Sequence, residues 1–92
     1  MKVTLEGYIK VAEKDLSEIL KELPKHIELT RQEIGCISFQ VSQDPQNKDT
    51  FLIYEEFIDK AAFENHQQRV KNSRWGEVAK DAQRHFQTSE SD

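Results

Sequence analysis

Three histidines, His26, His66 and His85, are the side chains of this 92-residue chain best suited to moving protons near neutral pH, where an imidazole can both donate and accept. His66 stands three residues after Phe63 and four before Val70, a helical spacing that turns it inward. There it is either a core histidine with satisfied ring nitrogens or an acid/base group acting on a bound ligand. His26, three after Leu23 and four before Thr30, is the second candidate for catalysis; its alternative is a helper at the neighbouring Pro24. His85 falls on the polar side of the last strand and is expected at the surface or an interface. The three come from two helices and a strand, with no pair at the i, i+4 spacing, so no metal site is expected.

Around these bases the sequence offers candidate substrate contacts. Gly7 interrupts an apolar strand face, which marks either a bend or a hollow under the helices that something fills. Trp75, beside Gly76, could wall that hollow and offer its indole N–H, or could serve as a core anchor. In Tyr54-Glu55-Glu56 only one glutamate can look inward, and spacing does not say which. Among apolar neighbours such a carboxylate has a raised pKa or an ion partner, for which Arg31 is the natural choice. Tyr54 is read as a secondary polar contact. Cys36 has no activating neighbour in sequence and is read as a small apolar residue.

The elements that must hold these residues are read from periodicity. Val3, Leu5, Gly7, Ile9 and Val11 alternate with polar residues, as in a strand with one apolar face. Leu16, Ile19, Leu20, Leu23, Ile27, Thr30 and Ile34 form a helical stripe whose phase survives Pro24, which predicts a kinked helix, or two abutting ones, ending before Gly35. Cys36 to Ser42 alternates again, with Ile37, Phe39 and Val41 on one face; the turn formers from Asp44 to Asp49 then lead into a hairpin. Its second strand, Phe51 to Ile58, is apolar on both faces. Asp59 can cap a helix carrying Ala62, Phe63, His66 and Val70, and Asn72 or Ser73 can cap a short turn with Trp75 and Val78. A fourth strand is expected from about Ala79 to Thr88.

The order β-α-β-β-α-β with a four-stranded antiparallel sheet is the α+β, ferredoxin-like arrangement. Residues 1–88 form its single domain, and residues 89–92 are expected to fray as a short acidic tail. Helices there cover one sheet face only, so a strand apolar on both sides calls for a second cover, and a homodimer packed sheet against sheet supplies it.

Composition narrows the function classes. Thirteen basic against seventeen acidic residues give a net charge of -4, and without a basic run no nucleic-acid partner is expected. Neither a membrane span nor a secretory leader is present in the pattern, so the expected compartment is the cytoplasm. One cysteine makes neither an internal disulfide nor a thiolate zinc site.

The stretch His26-Ile27-Glu28-Leu29-Thr30-Arg31-Gln32-Glu33-Ile34-Gly35-Cys36, then Phe39-Gln40-Val41 with Asp44-Pro45, then Tyr54-Glu55 and Ala62-Phe63-Glu64-Asn65-His66, resembles the antibiotic biosynthesis monooxygenase domain family. Its two strongest parts are the Glu-x-Gly-Cys junction and the Tyr-Glu strand leading into an Ala-Phe-x-x-His helix. The resemblance implies a dimeric α+β barrel with a cleft between helices and sheet. It implies chemistry with no cofactor: a small aromatic quinol or polyphenol is deprotonated, and its anion passes an electron to dioxygen. Haem-degrading relatives are expected to carry an Asn, a Trp and a His where this chain has Gly7, His66 and a residue near Gly76, which disfavours haem. A branch acting on phosphorylated autoinducer-2, a small dicarbonyl, shares the Asp-Pro turn and Tyr-Glu strand, but the sequence displays no Lys and Arg cluster that reads as a phosphate clamp. Isomerase or lyase chemistry on such a dicarbonyl, or a non-catalytic ligand-binding dimer, is the alternative function.

Overall fold

The computed structural model describes residues 1–91. Alternating apolar residues form β1 (Lys2–Lys10), β2 (Cys36–Gln43) and β3 (Thr50–Phe57), and the helical stripes form α1 (Glu13–Arg31) and α2 (Lys60–Lys71). A short α3 (Arg74–Val78) precedes β4 (Gln83–Ser91). The four strands lie in the order β2-β3-β1-β4, every neighbouring pair antiparallel. This is the expected ferredoxin-like α+β fold.

α1 runs unbroken for 19 residues although Pro24 lies inside it. Pro24 and Leu20 are both on the exposed side of the helix, where water can solvate the carbonyl that proline leaves without a donor. Neither a break nor a second helix is needed, but Leu20 leaves the apolar stripe. The helix ends at Arg31, earlier than the stripe suggests, and Ile34 is fully exposed in the following turn. Ile37 also departs from its expected face, because the β2–β3 register shifts between Cys36 and Ser38. The extra residue of that bulge is Ile37, which is left exposed while Phe39 is buried opposite Glu55.

Two further boundaries differ. Ala79 caps the C-terminus of α3 and is buried rather than opening the last strand, which starts at Gln83. That strand continues beyond Thr88: Ser89, Glu90 and Ser91 pair with Thr4, Val3 and Lys2. β1 offers backbone partners along its whole length, so polar, exposed residues still form ladder there.

Helices cover one face of the sheet, where Ile9, Val11, Ile19, Phe51, Trp75 and Ala79 build the core. On the opposite face Tyr8 and Leu52 are about two-fifths exposed, Tyr8 stacks on His85, and Tyr54 stands beside Glu56. Among the described residues no helix is long and apolar enough to cross a membrane.

Candidate active site

The site is assembled from four elements. On α1 the buried Ile19, His26 and Thr30 share one face, and on α2 His66 is the buried residue. The Asp59 side chain accepts from the Ala62 amide at 2.8 Å and fixes the start of α2. Ser73 accepts from the Gly76 amide at 3.1 Å and sets α3, which presents Trp75. The pleat of β3 turns Phe51, Glu55 and Phe57 inward and leaves Glu56 on the outer side with Tyr54.

Between these elements lies a cavity of about 150 Å³, a size that admits a single benzene ring. Apolar and aromatic residues, Phe39, Val41 and Phe86 among them, make most of its wall, and His26, Glu55, His66 and Trp75 face it.

His66 is held by a carboxylate. Its Nδ1 is 2.9 Å from Glu33 Oε2, which also accepts from Arg69 Nε at 2.7 Å. A second Arg69 nitrogen donates to Thr30 Oγ1 at 2.8 Å. One Glu33 oxygen accepts from both the arginine and the imidazole, so Nδ1 carries the hydrogen and the lone pair is on Nε2. That atom lies 3.6 Å from Glu55 Oε1, beyond hydrogen-bond range. Burial lowers the His66 pKa below its usual value and outweighs the raising effect of Glu33, so the ring is a neutral base.

Glu55 is the counterpart. Burial, and then the charge of Glu33, push its pKa up to about 7, and its Oε1 has no hydrogen-bond partner. At neutral pH this carboxyl therefore exchanges a proton easily. His26 is lowered to about 3, mainly by burial, with smaller contributions from His66 and Arg69. Its ring lies parallel to the Trp75 indole, centroids 4.7 Å apart, with Phe39 edge-on. The Nδ1 of this imidazole, neutral at neutral pH, is buried without a partner. Two polar atoms without protein partners thus lie beside one small cavity, free to pair with a polar group that enters it.

Of the residues singled out by sequence, the fold brings His26, His66, Glu55 and Trp75 together and leaves three outside. Gly7 lines no hollow: its φ is +154°, and a Cβ there would collide with the His85 carbonyl of β4. The glycine lets two strands approach. Tyr54 is on the far face of the sheet, its hydroxyl donating to the Glu56 carboxylate. Arg31 does not reach the inward glutamate; its Nε and one terminal nitrogen donate to the Phe39 carbonyl at 3.1 and 2.9 Å. Cys36 has a thiol pKa raised by burial and by Glu33 and Glu55, consistent with an unreactive role. Glu33 and Arg69, which the spacing argument did not single out, are the groups that orient His66. Among the described residues no group of three or more His, Cys, Asp or Glu could hold a metal ion.

Fold and cavity together define a ferredoxin-like domain that encloses a small, largely apolar chamber with a carboxylate-oriented imidazole. The family model for antibiotic biosynthesis monooxygenase matches residues 2–88, and the chain belongs to that family. Solved structures agree on the fold. A proposed antibiotic biosynthesis monooxygenase from Deinococcus radiodurans superposes with TM-score 0.79 at 20% identity, over 100% of this chain and 93% of that one. A conserved protein from Methanosarcina mazei gives 0.75 at 19% identity, over 100% and 94%. A proposed antibiotic biosynthesis monooxygenase from Nitrosomonas europaea gives 0.72 at 17% identity, over 96% and 85%. No match is found among curated proteins.

Proposed function

We propose that this protein is a monooxygenase that oxidises a small quinol with dioxygen and uses no cofactor, with His66 as its base. The observation that supports this most is the Glu33–His66 pair at 2.9 Å, which leaves Nε2 as a free lone pair at a cavity of single-ring size. Nε2 takes the phenolic proton, and Glu33, held in place by Arg69, stabilises the imidazolium that results. The substrate anion gives one electron to dioxygen; the radical and superoxide then join in a carbon–oxygen bond. The peroxide oxygen takes the proton back from His66. Nε2 next removes the proton on the same ring carbon as the O–O bond breaks, leaving a carbonyl and releasing hydroxide, which collects that proton as water. One oxygen atom stays in the product, and the four electrons that dioxygen accepts come from the substrate.

His26 and protonated Glu55 are read as hydrogen-bonding partners of the substrate oxygens, and Trp75 as a wall. The apolar surroundings strengthen both contacts by excluding water. The working unit is read as a homodimer closed by the face bearing Tyr8 and Leu52; sedimentation of the native chain as a 10.8 kDa species would refute that assignment.

The test is oxygen uptake by metal-stripped protein against hydroquinones and naphthols, with the autoxidation blank subtracted. The expected result is uptake that His66→Ala lowers by about 100-fold or more, with a melting curve close to the native one. No uptake above the blank by the folded native protein overturns the reading, and equal losses of uptake and stability would reduce His66 to packing.

A further inference from the structure

Lys71 at the end of α2, Lys80 after α3 and Arg84 on β4 are scattered in sequence, yet all three border one open depression together with Gln67 and Gln68. Gln67, Val70 and Arg84 also line the inner cavity, so the depression and the chamber share a wall. The Arg84 guanidinium is steadied by the backbone carbonyls of Ala79 and Ala82, at 3.2 and 3.3 Å. Among the described residues none of the three cations has a carboxylate oxygen within 4.0 Å. Glu64 is the one acidic residue on the rim.

A chain with a net charge of -4 thus carries an unneutralised group of three cations at the edge of its one-ring cavity. Such a patch raises the local concentration of anions and offers charged donors to hold them. The chamber behind it offers the opposite chemistry, an apolar aromatic wall with neutral His26 and the exchangeable carboxyl of Glu55. A neutral quinol uses only the inner part. A ligand that uses both has a hydroxylated ring inside and an acidic group at the rim.

Building on the reading of the chamber as a phenol site, we propose that the substrate is a single-ring hydroxylated aromatic with an anionic substituent, carboxylate or phosphate, held by Lys71, Lys80 and Arg84. Its ring faces His66 while the charged end remains at the rim, which fixes which hydroxyl meets Nε2.

Trp75 is the sole tryptophan and lines the cavity, so its indole N–H gives one side-chain signal in a nitrogen–proton correlation spectrum. That signal is titrated with hydroquinone, 2,5-dihydroxybenzoate and 4-hydroxyphenyl phosphate, in the native chain and in the Lys80→Gln, Arg84→Gln double variant. Both substituted residues are exposed, and the dispersion of the spectrum verifies that the variant folds. At low salt the acidic ligands are expected to bind about tenfold tighter than hydroquinone. That advantage should shrink between about 50 and 300 mM salt and vanish in the double variant. The tighter of the two anions identifies the rim group. Equal affinities for neutral and acidic rings, or an advantage that survives the double substitution, overturns the inference and leaves the phenol site standing. No movement of the Trp75 signal with any ligand overturns both.

Discussion

His26 and His66 line the same cavity and are equally buried, at 6% and 4% exposure, but they meet different neighbours. His26 stacks on an indole and has a ring nitrogen with no partner. His66 is anchored through Nδ1 to a carboxylate that an arginine also grips. Burial without an anchoring anion produces the first kind of residue, an imidazole so reluctant to charge that near neutral pH it can only give or accept a hydrogen bond. A base needs the second kind, in which a fixed anion sets the tautomer and absorbs the charge that arrives. The difference lies in Glu33, a residue of the turn after α1.

Replacing Glu33 by Gln should erase this contrast, and it carries the largest effect expected from any change outside the histidine itself. The amide keeps the shape and can still accept from one donor, but it no longer stabilises an imidazolium. Oxygen uptake is expected to fall by on the order of 100-fold, and the His66 pKa, followed by its carbon-bound ring protons in NMR, should move further down toward that of His26. Stability should fall by only about 1–3 kcal/mol. An unchanged His66 titration with unchanged uptake would show that Glu33 is a structural ion-pair partner and no more.

Both histidines were legible in sequence as candidates, but the partner that tells them apart was not, and the reason is physical. Periodicity reports which side of an element faces inward, and so it located His66, Trp75, the Asp59 cap and the alternation of β1. It cannot report what approaches from elsewhere in the chain. Glu33 and His66 are 33 positions apart and Arg69 is on a different helix from Thr30. Even so, a trace was available, since Glu33 is the glutamate of the Glu-x-Gly-Cys junction. Gly7 failed in the opposite way: a glycine on an inward face implies missing volume, but here the volume is filled by the β4 backbone. Arg31 was assigned to a carboxylate by charge alone, and the nearer acceptor was a carbonyl. The bulge at Ile37 and the continuation of β4 through Ser91 depend on neighbouring strands, which local alternation does not encode.

Glu55 sharpens the comparison through pH, because its burial acts opposite in sign to that of His26. The folded pKa of Glu55 is raised, to about 7, so its contribution is intact below the ordinary carboxylate value and is lost as pH rises through 7. The folded pKa of His26 is lowered, to about 3, so stability is lost as pH falls from the usual imidazole range toward 3. Between about 4.5 and 6.5 the two slopes oppose one another; below that window His26 dominates, and above it Glu55 does. Glu55→Gln removes one slope only. From pH 5 to pH 8 the native chain should lose on the order of 3 kcal/mol relative to the variant, measured by denaturant unfolding at each pH. Activity should follow the same carboxyl. An ionised Glu55 beside Nε2 disfavours a second anion in the chamber, so native uptake should decline on the alkaline side near pH 7, and the variant should keep its rate there. A variant whose unfolding free energy tracks the native chain in parallel from pH 5 to 8 would show that Glu55 titrates as an ordinary carboxylate, and that His66 alone sets the pH dependence of the cavity.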